Sequence, residues 1–359
     1  MNFNNFFLRS FRLLLFPFAL IYGAIIIIRN IFYDKGWLKS GGFNIPIICV
    51  GNLSVGGTGK SPMVENLAGL LKDRFKVATL SRGYKRRTKG YILADENSTA
   101  LEIGDEPMQF HLNHPEIAVA VGEERIEAIP QLLYDRPETE VIILDDAFQH
   151  RSIKAGLNII LTDYNNLYSR DFFLPTGDLR DQGSSAKRAE IIIVTKCKPE
   201  LNESEAKNIR EELSILPHQH LFFTTIRYGS PYHLITRKNI TLNRQMEVLL
   251  VCGIANPEPL KKFLHEETLT YEACYYNDHH IFSIDDLTEI RTRFQQMDTT
   301  EKVIITTEKD AVRLIKFGEE LRDIPFYVLP ISVSFLFSET KAFNNLITNF
   351  IEGFNTVKG

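Results

Sequence analysis

The sequence predicts an α/β protein: a doubly wound, mostly parallel sheet, a second and smaller α/β domain after it, and an apolar helix ahead of both. Three observations carry this reading. Short apolar runs at 44–50, 76–80, 117–121, 141–144, 157–161 and 191–194 alternate with helical or loop patterns, the rhythm of parallel strands buried on both faces. A second series, at 246–251, 302–306 and 326–329, follows a charged helical pattern at 203–213. Residues 13–28, LLLFPFALIYGAIIII, contain no charge at all.

A chain of 359 residues suits two domains of about 150 residues each, and the patterns divide it into a helix and lead-in at 1–40, a first domain at 41–220 and a second at 221–359. The net charge of −4 gives no global case for nucleic-acid binding. The cysteines (Cys49, Cys197, Cys252, Cys274) are scattered with no CxxC pair, which argues against a disulfide framework or a zinc site and for a reducing compartment.

The N-terminal run is flanked by Arg9 and Arg12 before it and by Arg29, Lys35 and Lys39 after it. A spanning helix needs about 20 apolar residues, and Pro17 and Gly23 interrupt this one. A cleaved signal peptide fits poorly, because Arg29 arrives at once and no small-residue cleavage site follows. Basic residues at both ends suit residues 1–30 lying on, or dipping into, an anionic leaflet. The other reading is an amphipathic helix buried on the protein itself.

The first strand meets GNLSVGGTGKSP, residues 51–62, and then the helical spacing of Val64, Leu67, Leu70 and Leu71. Strand, Gly-rich loop and helix are the context of a phosphate-binding loop, so the first domain is of P-loop type. Gly56, Gly57 and Gly59 let successive backbone N–H groups face one anion, and the helix adds its positive end. Lys60 can reach the β- and γ-phosphates, and the Ser61 hydroxyl can ligate Mg²⁺. The standard pattern has Gly where this chain has Ser54, which calls for a negative φ there. The GGxGK[ST] core is also similar to the deviant loops of ParA-like ATPases, but Val55 stands in place of their signature Lys. A membrane-recruited NTPase switch, or an anchored protein with a relic loop, therefore stays open at this point. GTP is disfavoured, since Lys198 occupies the Asp place of a guanine-reading motif in VTKCK.

Four further stretches carry chemistry or its bland equivalent. VIILDDAFQH (141–150) describes a buried strand delivering Asp145 and Asp146 to the carboxyl end of the sheet, where one can hold Mg²⁺; the alternative is a solvated turn. In IGDEPMQF (103–110), Asp105 and Glu106 precede Pro107, read as a first helical position; they are helix-capping residues, or a base and a metal ligand on a βα loop. YNDHHIF (276–282) is a polar loop, or it sets a His against the phosphate loop across an interdomain cleft. The basic run of Arg82, Lys85, Arg86, Arg87 and Lys89 is solvated surface, or a holder of a phosphorylated lipid.

These motifs, in this order, resemble the tetraacyldisaccharide 4′-kinase family of the lipid A pathway. The stretches that match are the apolar N-terminus, GNLSVGGTGKSP, SRGY, GDEP, DDAFQH, LPTGDLR, VTK, the GIANP turn, DHH and TTEKDAVRL, from near residue 10 to near residue 330. The resemblance implies an enzyme on the cytoplasmic face of the Gram-negative inner membrane, peripheral or monotopic. It would move the γ-phosphate of ATP to the 4′-hydroxyl of a tetraacylated glucosamine disaccharide 1-phosphate, with Mg²⁺ as cofactor. It implies no nucleic-acid ligand and no obligate protein partner. By position, Ser54, Val55, Gly56, Gly57, Thr58, Gly59, Lys60 and Ser61 would bind the ATP phosphates, Lys60 also acting catalytically. Ser61, Glu106, Asp145 and Asp146 would surround the metal. Asp105 matches the family's base, and His279 the His that supports it. Acceptor contacts would fall to Arg82, Arg180, Gln149 and His150. Two departures stand out: Ala147-Phe148 where many members have Gly-Leu, and LPTGDLRD where PAGPLREP is common, which bears on Arg180. The chemistry agrees with the residues: a carboxylate accepting a proton late in phosphoryl transfer suits Asp105, and a lipid acceptor explains an apolar N-terminus on an α/β core.

Overall fold

The computed structural model describes residues 12–356; Arg9 and the rest of 1–11, part of the expected leaflet segment, lie outside the described residues. The large sheet has nine strands in the order β14-β8-β7-β6-β1-β5-β2-β4-β3. Its centre is β1 (Ile47–Asn52), with β2 (Val77–Ser81), β4 (Ala118–Val121), β5 (Val141–Asp145), β6 (Leu157–Asp163) and β7 (Ile191–Thr195), all parallel. Each expected apolar run of the first series became one of these strands. Ile47 and Cys49 enter the core on one face, Ile48 and Val50 the core on the other, which is why the run is apolar without alternation. Between them run helices α2 (Lys60–Leu71), α3 (Asp105–Asn113) and α4 (Arg125–Asp135). Since β1 is paired with β5 on one side and β6 on the other, the carboxyl end of β1 opens a crevice at the point where the strand order reverses.

The smaller sheet has the order β11-β10-β12-β13-β9. The strands β10 (Glu247–Cys252), β12 (Lys302–Thr307) and β13 (Phe326–Leu329) match the second apolar series. Helices α6 (Glu258–Glu267), α7 (Ile284–Gln296) and α8 (Glu308–Leu314) pack around them, after α5 (Glu203–Glu212) has closed the first series.

Sheet membership departs from a boundary at residue 220. Strand β8 (His220–Tyr228) pairs parallel with β7, and β14 (Ile331–Phe335) pairs antiparallel with β8, so the chain returns to the large sheet after building the small one. Helix α9 (Thr340–Thr356) then lays the fully buried stripe Phe343, Ile347 and Ile351 into the same core as Val50 and Ile159. The short edge strands β3 (Ile92–Leu93) and β9 (Tyr232–His233), and β11 (Thr270–Tyr275) with its mixed exposure, were not marked by apolar runs because only one of their flanks is covered.

Helix α1 (Phe16–Asp34) docks through a narrow face: Ala19, Gly23 and Asn30 are buried. Asn30 Nδ2 donates to Asp181 Oδ1 at 2.8 Å, the Tyr22 hydroxyl to the Arg180 carbonyl at 3.1 Å and Arg29 to the Gln149 carbonyl at 3.0 Å. At Gly23 a Cβ would lie 2.7 Å from the Phe173 ring, so close approach requires glycine. The remaining face carries Phe18, Leu20, Ile21, Ile25 and Ile28, all exposed and joined at one end by Phe172. The alternative of a helix buried on the protein itself does not describe this face.

The two lobes meet beside α2. There Asn113 Nδ2 donates to Glu65 Oε1 at 2.8 Å and to Glu308 Oε1 at 3.2 Å, Gln109 donates to Glu65 Oε2 at 3.1 Å and the Ile331 N–H to Glu308 Oε2 at 3.1 Å. Burial, and then the charge of Glu308, pushes Glu65 up to about 8; burial raises Glu308 as well. A carboxyl raised in the fold is stabilising while protonated. That contribution is fully present below the ordinary value of 4.5 and is lost as pH rises through about 8. We therefore predict that Glu65→Gln, neutral at every pH, gains Tm relative to the native chain as pH rises from about 5 to about 9. Parallel Tm curves for the two proteins would contradict a protonated Glu65.

Candidate active site

The phosphate loop spans β1 and α2 and is held by the ends of neighbouring strands. Gly59 is the residue before α2 and has φ +86°, and Gly56 has φ +102°, both conformations that favour glycine. Ser54 is not among the positive-φ residues; it forms an antiparallel bridge with Leu179, and Val55 N–H donates to the Asp178 carbonyl at 2.7 Å. That extended pairing asks for no positive φ, so a residue with a Cβ is accommodated where the usual pattern carries Gly. Thr195 Oγ1 donates to the Thr58 carbonyl at 2.8 Å, Lys196 Nζ to the Gly57 carbonyl, and Asn52 Nδ2 to Thr58 Oγ1 at 2.8 Å. Lys60 and Ser61 stand in the first turn of α2, with Val55, Gly56 and Gly57 open to solvent.

Strand β5 delivers two carboxylates with different surroundings. Asp146, in the left-handed region at φ +50°, turns outward to Arg180, which also donates to Asn52 Oδ1, and lies 3.8 Å from Lys60 Nζ. Burial works to raise its pKa, but Lys60 and Arg180 outweigh burial and hold Asp146 below the usual carboxylate range. Asp145 is buried, and burial together with the Asp146 charge pushes it up to about 7. Its Oδ1 is buried and has no hydrogen-bond partner among the described residues. Glu106 is near enough for its charge to be felt there, and so is the wholly buried Arg125. No cluster of three or more His, Cys, Asp or Glu side chains suited to a metal exists among the described residues. Mg²⁺ needs only one or two carboxylates when phosphate oxygens and water complete its shell. An orphaned buried carboxylate oxygen beside a phosphate loop fits such an ion.

Asp105 opens α3, yet it caps nothing: the preceding residue is Gly104 and no side-chain cap bond forms there. Pro107 accordingly falls in the third helical position and not the first. The Asp105 carboxylate is buried and crosses to the second lobe. His279 Nδ1 lies 2.7 Å from its Oδ2, and Arg313 Nε donates to its Oδ1 at 2.6 Å. Burial would raise Asp105, but hydrogen bonds from His279 and Arg313 prevail and hold it below the ordinary value. An anionic Asp105 accepts, so Nδ1 of His279 carries the proton. Its Nε2 faces Lys309 at 3.4 Å and Asp278 at 3.6 Å. His279 itself has φ +67°, an uncommon conformation for a residue with a Cβ. The DHH stretch is thus no free polar loop: the His279 side chain is 9% exposed and the adjacent His280 bonds Asp286 at 3.0 Å.

Of the suggested acceptor residues, Gln149 Nε2 donates to the Asn52 carbonyl at 2.6 Å, and Arg180 is bound to Asp146. His150 is partly buried, and burial, reinforced by Arg125, lowers its pKa. Arg82 is exposed, as are Lys85, Arg87 and Lys89, while Arg86 is drawn inward to Glu123 at 2.7 Å. Tyr84 rests edge-on against His279, 5.8 Å between centroids, which brings the basic stretch to the dyad. Asn52, Arg125, Lys196 and Arg313 were not singled out from sequence. TTEKDAVRL, already notable as a motif, was the one signal that could have found Arg313.

Comparison with known proteins covers the span that holds these residues. The family model for tetraacyldisaccharide-1-P 4′-kinase matches residues 11–352. A tetraacyldisaccharide 4′-kinase of Bacteroides thetaiotaomicron is 43% identical over 353 residues, covering 94% of this chain and 92% of its own. One of Flavobacterium johnsoniae is 46% identical over 326 residues, covering 90% and 93%. LpxK of Aquifex aeolicus, crystallised in complex with ATP, superimposes with a TM-score of 0.74 at 28% identity, over 95% of this chain and 99% of that one. With both lobes, the loop and the Asp105–His279 pair inside the matched span, the chain belongs to the tetraacyldisaccharide-1-P 4′-kinase family.

Proposed function

We infer that this chain is an ATP-dependent lipid-sugar kinase, a phosphotransferase with an alcohol acceptor. It transfers the γ-phosphate of ATP to the 4′-hydroxyl of tetraacyldisaccharide 1-phosphate in lipid A biosynthesis. The observation that carries this is the family match over residues 11–352, which takes in the phosphate loop and the Asp105–His279 pair together.

Phosphoryl transfer asks for positioning and charge neutralisation. Lys60 and the backbone N–H groups of Gly56, Gly57 and 59–61 would hold the ATP phosphates; those of Val55 and Thr58 are taken by the Asp178 and Gly56 carbonyls. Ser61 and Asp145, with Glu106 and Asp146 nearby, would hold Mg²⁺. Bound there, the ion would neutralise charge on the β- and γ-oxygens. Asp105 would accept the acceptor hydroxyl's proton as that oxygen bonds to the γ-phosphorus and the bond to the ADP oxygen breaks. A carboxylate kept below its ordinary pKa is a weak base, which suits a loose transition state where the proton leaves late. His279 Nδ1–H would keep the carboxylate aimed. Arg82, Gln149, His150 and Arg180 are proposed as acceptor contacts. The exposed apolar face of α1 and Phe172 would rest on the cytoplasmic face of the inner membrane, so that acyl chains stay in the leaflet while the sugar reaches the crevice.

Purified protein in detergent, given γ-labelled ATP and the acylated disaccharide 1-phosphate, is expected to yield labelled lipid; an unlabelled lipid fraction would refute the activity. Asp105→Ala should lose about 10²–10⁴-fold in kcat while nucleotide affinity is retained, as general-base removal does. A kcat near that of the native enzyme would remove Asp105 from the chemistry. For the membrane face, Ile21→Asp with Ile25→Asp should shift the protein from anionic vesicles to the supernatant in a flotation assay. Unchanged partition would show that this face does not make the contact.

A further inference from the structure

We propose that Arg313 is a positioning residue for the phosphoryl transfer: from the second lobe, its guanidinium fixes the orientation of the Asp105 carboxylate in the first. This rests on the reading of Asp105 as the base. Three N–H directions of one guanidinium are engaged in three places. Nε donates to Asp105 Oδ1 at 2.6 Å, Nη2 donates to Asp105 Oδ2, and Nη1 donates to the His280 carbonyl at 2.8 Å. The fork therefore grips the carboxylate and the backbone of the loop that carries His279 at once. Its side chain is 11% exposed and that of Asp105 3%, so water competes little for these bonds.

The arrangement also decides which oxygen is open to the acceptor. A carboxylate offers about two acceptor sites per oxygen. Oδ2 takes His279 Nδ1–H and Arg313 Nη2, which fills both. Among the described residues Oδ1 takes only Arg313 Nε, which leaves one site for an incoming hydroxyl. The Nη2 to His279 Nδ1 distance of 3.2 Å joins two donors and is a by-product of their shared acceptor. Without Arg313, Asp105 would keep one bond from His279, its side chain could turn about that bond, and the His279 loop would lose its own tie.

A planar fork is what this geometry uses, and an ammonium cannot reproduce it. The test is a double-mutant cycle read in kcat and in the KM for ATP, with Arg313→Ala, Arg313→Lys and Asp105→Asn, each checked for an unchanged circular dichroism spectrum. Arg313→Ala is expected to lower kcat by about 10²-fold, the scale of a misplaced reacting group, with the KM for ATP within about twofold of native. Arg313→Lys should fall between, and serves alone if the alanine variant does not fold. Once Asp105→Asn is present, removing Arg313 should cost less than about threefold more, because the two act as one unit. Equal fold-losses from Arg313→Ala in both backgrounds, or native kcat in Arg313→Lys, would overturn the proposal while a dead Asp105→Asn leaves the base reading standing. Native-like turnover of Asp105→Asn would overturn both.

Discussion

A carboxylate taken out of water demands partners, and in this molecule that demand is met from the opposite lobe. Asp105 has 3% of its side chain exposed, and a charge so placed costs several kcal/mol unless it is hydrogen-bonded and paired. Its own lobe provides the helix that presents it; His279 and Arg313 provide the charge and the protons. The lobes are thereby held in one register by a group that also sits where chemistry is expected. Around this pair the other features fall into place: α8 brings Arg313, the loop after β11 brings His279, and Tyr84 closes over the imidazole.

The large sheet does the complementary work. Its central strand ends at the phosphate loop and the adjacent strand ends at Asp145-Asp146, so one crevice collects the cation-seeking and the anion-seeking groups. The two aspartates are neighbours in sequence and opposites in state. Asp146 is exposed enough to meet Arg180 and Lys60 and stays ionised; Asp145 is sealed in and raised to about 7. Burial and partners, not residue type, separate them.

How much of this could be read from residues depends on the distance between partners. Six strands of the large sheet (β1, β2, β4, β5, β6 and β7) and the loop were legible because each is a local pattern: an apolar run, glycines at fixed spacing, a Lys-Ser pair, then a helical stripe. Gly59, Lys60 and Asp145 needed no knowledge of the rest of the chain. Asp105 and His279 lie 174 residues apart, and Asp105 and Arg313 lie 208 apart, so the ion pairs that define them leave no trace in local spacing. Family resemblance located two of the three. Arg125, fully buried in an unremarkable stretch, had no local signal at all. The return of β14 and α9 to the first sheet was equally hidden, because an amphipathic helix announces that it covers something but not what.

Ser54, the residue that departs from the usual loop pattern, has a thermodynamic corollary. Its bridge to Leu179, with the bonds of Val55, Gly57 and Thr58 to Asp178, Lys196 and Thr195, ties the loop at both ends using the protein's own groups alone. A loop tied in this way has little conformational freedom to surrender, and fixing a free backbone costs about 1–2 kcal/mol of entropy per residue. Most of that cost is met during folding, so an anion docking in the loop meets a partner already ordered, and its binding energy is left for the charge itself.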